Sequence, residues 1–241
     1  MNCRSGATLL RLLLAVHSCL AGCAHATQIF FVGGDARDFT SDERRLLEDV
    51  AHKSVDTART LLPQLPRHLR IEIRSGIAVI PETGEGGETR QPETVIVTVD
   101  PNHAGGVAAV AQRWLRACVL HELHHLVRDA VFPRATPETS LLEVAVTEGL
   151  AAAFERDFAG VSPPWGQYGP EAAAWVAELQ RLPPGTPRAD WIGRHPDGRR
   201  WIALRAGTYL IDRVMRATGS TPAELVTMPT QAVLRLAAPT D

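Results

Sequence analysis

The chain has 241 residues, of which 45% are hydrophobic and 22% charged, and this composition excludes collagen-like, coiled-coil and fully disordered proteins. Its 25 basic and 27 acidic residues give a formal net charge of −2, so no excess of positive charge is available to bind a nucleic-acid backbone. We therefore expect a folded domain of ordinary size and no nucleic-acid partner.

Residues 1–26 have the pattern of an export signal. Two arginines without an acidic residue precede a short apolar stretch at 12–20, which is too short to span a bilayer as a helix. Leu-Ala-Gly-Cys at 20–23 resembles the lipobox of bacterial lipoproteins, in which Cys23 is lipidated and becomes the first mature residue. Cleavage after Ala26 by the ordinary signal peptidase is the alternative. We expect an exported protein, either anchored to the cell envelope (the outer membrane in a Gram-negative cell) through Cys23 alone, or free in the periplasm or medium.

The sequence from residue 27 predicts a sheet combined with one long helix. Apolar and β-branched residues predict strands at 28–32, 69–74, 77–80 and 94–99. Thr40 and Glu43 form a capping box that begins an amphipathic helix ending before Pro63. The glycines within residues 84–87 lie among glutamates, where a phosphate site would need hydrogen-bond donors, so we predict a solvated hairpin loop there.

Residues 107–130 predict one helix, and this helix carries the sequence His121-Glu122-Leu123-His124-His125. An H-E-x-x-H pattern on a helix places its two outer histidines on neighbouring turns, where both imidazoles can bind one Zn²⁺. At roughly 100° of rotation per residue, Glu122 lies on the side of His125 and His124 points away from it. We therefore predict His121 and His125 as zinc ligands and Glu122 as the general base.

A second helix, predicted to begin at Thr136, offers a third ligand. Glu148 lies in its middle among small residues such as Gly149, which predict a close approach to the metal helix. Glu143 is a weaker rival for the third ligand, because it faces about 140° away from Glu148. Glu155, seven residues after Glu148, shares its face and is a candidate to support a ligand histidine from behind.

The motif at 121–125, together with Glu148-Gly149-Leu150-Ala151, resembles the YjaZ-like predicted zinc-dependent proteases, a bacterial domain family of unknown function. The resemblance implies an α+β fold of the zincin type, with a mixed N-terminal sheet, an active-site helix and a helical C-terminal part. It also implies one zinc ion bound by His121, His125 and Glu148. With the export signal set aside, we expect residues 27–241 to form a single catalytic domain.

Residues 201–207 resemble the family's W-x-G-Y-x-x-G segment, but Ala203 and Leu204 stand at its glycine and tyrosine positions. If the family's tyrosine stabilises the oxyanion, this chain either uses Tyr209, one turn later, or has a weakened site. Cys118, one turn before His121, is expected to be a small core residue rather than a ligand.

These features together predict a zinc metallopeptidase of the gluzincin type that acts on peptides or proteins, with water activated by the metal and by Glu122. By analogy with zincins, we expect an extended substrate to pair with the strand at 94–99. Two alternatives stay open. One is an envelope-anchored binding protein with structural or absent zinc, and the other is a zinc hydrolase of cell-wall peptides.

Overall fold

The computed structural model describes residues 26–132, 136 and 139–238. The predicted export signal, including Cys23, lies outside these residues. Within the described part of the chain, no helix is both long enough and apolar enough to cross a bilayer.

Four strands form one mixed sheet in the order β1-β2-β4-β3. Strands β1 (Ala26–Val32), β2 (His68–Ser75) and β4 (Thr94–Val99) are parallel, whereas β3 (Glu85–Arg90) is antiparallel to β4 and forms one edge. Along β2, buried apolar residues alternate with partly exposed charged ones, the buried ones being Leu69, Ile71 and Ile73. One face of the sheet is therefore apolar and is available to be covered by helices.

Two helices cover this apolar face and form the main core with it. Helix α1 (Ser41–Leu61) begins at the predicted capping box. Helix α2 (Gly106–Val110) continues through a π-helical turn (Ala111–Leu115) into α3 (Arg116–Val131), so the predicted single helix is one rod with a local change of winding. Both rods contribute to the same buried apolar cluster as the sheet. The motif at 121–125 thus lies on a rigid, largely buried helix.

The C-terminal half is helical, with α4 (Leu141–Ala159), α5 (Ala172–Arg181), α6 (Ala189–Ile192), α7 (Ile202–Thr218) and α8 (Thr230–Ala237). Short 3₁₀ turns lie at Pro164–Gly166 and Glu224–Thr227. Helix α4 packs against α3 on one side and α7 on the other. The chain is therefore α+β, with a mixed sheet ahead of a helical part, as the sequence predicted.

The start of the second helix was predicted wrongly. Helix α4 begins at Leu141, and Ser140 is its N-cap, whereas the Thr136 N–H donates to the Thr139 hydroxyl ahead of the helix. Ser140 and Glu143 form a reciprocal capping box, in which the Ser140 N–H donates to the Glu143 carboxylate at 3.1 Å and the Glu143 N–H to Ser140 Oγ at 3.2 Å. Two satisfied backbone donors fix the helix start, and Glu143 is committed to this cap.

The prediction for residues 77–87 was also wrong except at Gly84, which lies in the turn at 81–84. Residues 77–80 form no strand and contribute only an isolated bridge between Ile80 and Glu85. The glycines at 86 and 87 lie inside β3 rather than in a hairpin loop. Pairing with β4, one of whose faces is covered by α3, outweighs the low strand propensity of Gly-Gly.

Gly149 and Gly207 mark the closest approach of α4 and α7. A Cβ on Gly207 would overlap the carbonyl oxygen of Ala145 and approach Gly149 Cα to 2.9 Å, and one on Gly149 would overlap the backbone of Gly207. The sequence predicted a close approach around Gly149, but the partner is α7 rather than the metal helix.

Gly207→Ala should therefore destabilise the protein by about 1–3 kcal/mol, because two backbones would have to separate. Urea unfolding measures the change in free energy of unfolding. Gly33→Ala is the matched control, since a Cβ there meets nothing within 4 Å, and it should change stability by less than about 0.5 kcal/mol. Equal effects of the two substitutions would contradict the tight helix contact.

Candidate active site

Three predicted ligands converge at the point where α3 and α4 cross. His121 Nε2 and His125 Nε2 lie 3.0 Å apart, and Glu148 Oε2 lies 3.5 Å from each of them. The three ligand atoms lie within 4.8 Å of one another and, in the described part of the chain, form the one group with metal-site geometry. Two imidazoles and a carboxylate are a typical donor set for Zn²⁺ with an open fourth position.

The electrostatics of the cluster also suit a cation. Burial disfavours a charged His121, yet the carboxylates of Glu155 and Glu148 raise its pKa well above the ordinary value. Burial likewise opposes ionisation of Glu148, but the neighbouring His125 and His121 lower its pKa. Positive charge is thus stabilised where the three ligand atoms meet, which fits a bound metal ion.

Glu155 supports the cluster from behind. Its side chain is fully buried, and Oε1 lies 3.2 Å from His121 Nδ1. The indole N–H of Trp165 donates to the same carboxylate oxygen. This contact fixes the His121 ring with Nε2 turned toward His125 and Glu148, as carboxylates behind metal-bound histidines do.

Glu122 lies beside the ligands but outside the cluster. It is 8% exposed, and the Thr89 hydroxyl lies 2.7 Å from its Oε2 and 2.9 Å from its backbone carbonyl oxygen. Gly87 lies against the same carboxylate, because a Cβ there would come within 2.7 Å of Glu122 Cδ. Strand β3 thus positions the Glu122 carboxylate from one side. The Thr89 hydroxyl lies within hydrogen-bond distance of the carboxylate, and Gly87 leaves space for it because it has no side chain.

A cavity of about 500 Å³ opens next to the cluster. His121, Glu122, His125 and Glu148 are among the residues that line it. Much of the rest of the lining is apolar or aromatic and includes Ile80, Trp165, Trp201 and Leu204. The cavity is large enough for part of a peptide, and the candidate ligands and base face its interior.

The edge strand β3 is the strand that borders this cavity. The Ile80 N–H donates to the Glu85 carbonyl at 2.8 Å, on the side of β3 away from β4. Because backbone groups alternate in direction along an antiparallel strand, those of Gly87, two residues later, also point away from β4. Strand β4 was predicted to pair with substrate, but β2 and β3 already flank it. That prediction was wrong, and the sheet edge that borders the cavity belongs to β3.

Of the remaining candidates from the sequence, Cys118 lines the cavity and Tyr209 does not. Tyr209 is not among the cavity-lining residues; its ring packs edge-on against Tyr168 at 5.5 Å, and its hydroxyl accepts a 3.4 Å contact from Arg213. The structure therefore does not bring Tyr209 to the cluster. Leu204, at the position of the family's tyrosine, does line the cavity. Cys118 is buried, as expected of a core residue, but it also contributes to the cavity wall.

Three residues at the site were missed by the sequence analysis: Glu85, Gly87 and Thr89. All lie on β3, at alternate positions that face α3. A spacing of two residues is typical of one face of a strand. Here, however, the three positions are occupied by two polar residues and a glycine rather than by apolar residues. Because this strand lacks apolar alternation, its residue pattern does not indicate a strand.

Comparison with known proteins adds one finding. A family model described as predicted Zn-dependent protease (DUF2268) matches residues 63–182, which include both histidines of the cluster, Glu148 and Glu155. No curated protein gives a match to this chain.

Proposed function

Because this chain belongs to the DUF2268 family of predicted Zn-dependent proteases, we propose that it is a zinc metallopeptidase with a zincin-like, gluzincin-type active site. Membership confirms the resemblance drawn from the motifs on α3 and α4. The observation that carries the proposal is the convergence of His121, His125 and Glu148 beside a substrate-sized cavity, with Glu122 next to them.

In the proposed reaction, one zinc ion held by His121, His125 and Glu148 would supply Lewis-acid activation of water and of the scissile carbonyl. Glu122 takes a proton from the attacking water on its carboxylate. It then returns this proton to the amine that leaves. The Thr89 hydroxyl keeps one carboxylate oxygen of Glu122 in place during both transfers.

Substrate binding follows from the sheet edge. An extended peptide that pairs with the outward backbone groups of β3 would run past Gly87 and thus past the Glu122 carboxylate. The missing side chain at Gly87 leaves room for both the base and the substrate backbone. We propose this edge as the peptide-binding strand.

Removal and return of metal tests the proposed activity. Zinc-loaded protein should cleave casein or a mixed peptide pool, a strong chelator should abolish cleavage, and added Zn²⁺ should restore it. Cleavage products are measured by mass spectrometry. Bound zinc without chelator-sensitive cleavage would favour the alternative of a binding protein with a structural metal.

Gly87→Ala should lower kcat/KM for peptide cleavage by at least about tenfold, because the added Cβ displaces the base by the sub-ångström shifts that catalytic geometry does not tolerate. Gly86→Ala is the matched control on the same strand. A Cβ there meets only Ala78 O at 3.5 Å and Val79 Cα at 3.7 Å, which are ordinary contacts. The proposal for β3 fails if the two variants have the same activity.

The site of action is a separate proposal. The pattern of residues 1–26 supports export, with lipid anchoring at Cys23 or cleavage after Ala26. Mass spectrometry of the mature N-terminus in the native host distinguishes a lipidated Cys23 from a free Thr27.

A further inference from the structure

Glu85 is a buried carboxyl group in the cavity that the proposed mechanism does not use. Its side chain is 2% exposed and lines the same cavity as His121 and Glu122. The polar groups that lie near the carboxyl and favour its ionised form include the Cys118 thiol and the Thr83 hydroxyl. Neither carries a positive charge. His121 is the nearby basic group whose charge favours the ionised carboxylate, but its ring contacts Glu155, and among the described residues no ion pair joins Glu85 to a basic side chain.

Burial of the Glu85 carboxyl shifts its pKa. Burial raises the pKa of its carboxyl to about 7, although the Cys118 thiol, the Thr83 hydroxyl and the charge of His121 oppose that shift. Burial of the thiol and the same carboxyl raise the pKa of Cys118. A cation entering the cavity would favour the ionised carboxylate and relieve this penalty.

The rest of the cavity fits an organic cation better than a second metal ion. In the described chain, the ligand atoms that could jointly hold a metal are those of His121, His125 and Glu148, and Glu85 is not among them. The aromatic and aliphatic walls suit the methylene stem of a long basic side chain, and indole faces attract ammonium and guanidinium groups. These walls are formed by Ile80, Trp165, Trp201 and Leu204.

The arginine in the cavity wall nearest this aromatic surface is already engaged. Arg200 pairs with Glu82 through both guanidinium nitrogens and lies 4.2 Å over the ring of Trp201. Its charge is therefore balanced by Glu82 at the wall. Arg194, the other arginine in the cavity wall, is exposed and also acts on Glu82, so neither guanidinium pairs with Glu85.

We propose that Glu85 makes the site prefer peptides with a lysine or arginine next to the scissile bond, its carboxylate binding the basic group at the end of that side chain. This inference rests on the proposed peptidase function. Glu85 acts here as a specificity-determining residue, because Glu122 and the ligand cluster carry the reaction.

The preference is tested with a pool of peptides released from a bacterial lysate by a glutamate-specific protease, so that lysine and arginine remain within the peptides. Zinc-loaded wild type, Glu85→Gln and Glu93→Gln are compared by sequencing the new termini. We expect wild type to show basic residues enriched at one fixed position beside the cleaved bond. Glu85→Gln should reduce this enrichment by about tenfold or more. Glu93→Gln, an exposed acid in the β3–β4 turn, should retain it.

Two results would overturn the inference while leaving the peptidase intact. One is cleavage without a basic preference, and the other is a Glu85→Gln variant that keeps the preference or loses cleavage of all peptides equally. If wild type cleaves nothing, the proposed function fails instead. In that case, calorimetric titration of N-acetyl-arginine amide into zinc-loaded protein tests whether the cavity binds a basic side chain. Binding weakened about tenfold by Glu85→Gln supports the inference, and absent or equal binding contradicts it.

Discussion

Glu122→Gln should reduce kcat/KM for peptide hydrolysis by about 10²–10⁴-fold, the usual contribution of a positioned general base. The amide has the shape of the carboxylate, and its oxygen can still accept the Thr89 hydrogen bond, so the fold should be unchanged. Because the Glu122 carboxylate lies outside the His121–His125–Glu148 cluster, zinc content should also be unchanged. Activity is measured on a peptide substrate and zinc by elemental analysis of the same sample.

The control for this substitution is Glu93→Gln, which removes the same charge from an exposed turn. It should keep both zinc and full activity. If Glu122→Gln keeps wild-type activity, the general-base role is wrong and the alternative of a structural metal gains support. If Glu122→Gln loses zinc, its carboxylate contributes to metal binding and its role has been misassigned.

The arrangement of the two histidines was accessible from sequence because it depends on one helix only. Four residues on a helix bring His121 and His125 onto neighbouring turns, and their rings lie 4.6 Å apart in the structure. The same rotation places His124 elsewhere, and it lies in the core against Phe154 at 5.3 Å. Local geometry alone thus predicts which histidines can meet.

The partners of Glu122 were not accessible from sequence, because they come from a different element. Thr89 and Gly87 contact Glu122 from β3, more than thirty residues earlier in the chain. A Gly-Gly pair flanked by glutamates does not indicate a strand. The β-branched residues at 77–80 have the higher strand propensity, and the sequence therefore predicted the strand there. Tertiary contact with α3, rather than propensity, decides where the edge strand lies.

The start of α4 shows the opposite kind of error, since the signal was present in the sequence. Ser140 and Glu143 have the spacing of a capping box, as Thr40 and Glu43 do in α1. Thr136, followed by proline, is a competing N-cap candidate, but the residue three positions later is Thr139 rather than the Glu or Gln of a capping box. A reciprocal pair of side-chain hydrogen bonds outweighs a favourable first-turn proline.

The tyrosine position illustrates what a motif specifies and what it leaves open. Leu204 occupies this position and lines the cavity, so the motif correctly indicates a residue that faces the site. Its side chain has no hydroxyl, and Tyr209, one turn later on α7, packs against Tyr168 instead. On a helix, a shift of five residues rotates a side chain by roughly 140°, so Tyr209 cannot replace the missing group from where it lies.

Glu148→Gln should weaken zinc binding by more than about 100-fold, because it removes the anionic member of the three-ligand cluster, whereas supporting groups contribute about 10–100-fold. Glu155→Gln, which acts only through His121 Nδ1, should fall within that lower range. Asp157→Asn, an exposed residue on the same helix, should leave affinity unchanged. Competition with a chromophoric chelator measures the three dissociation constants, and circular dichroism checks that each variant is folded. The order Glu148, Glu155, Asp157 follows from their contacts with the cluster: Glu148 is one of its members, Glu155 contacts His121, and Asp157 is exposed. A Glu148→Gln variant that binds zinc as tightly as Asp157→Asn would remove Glu148 from the site.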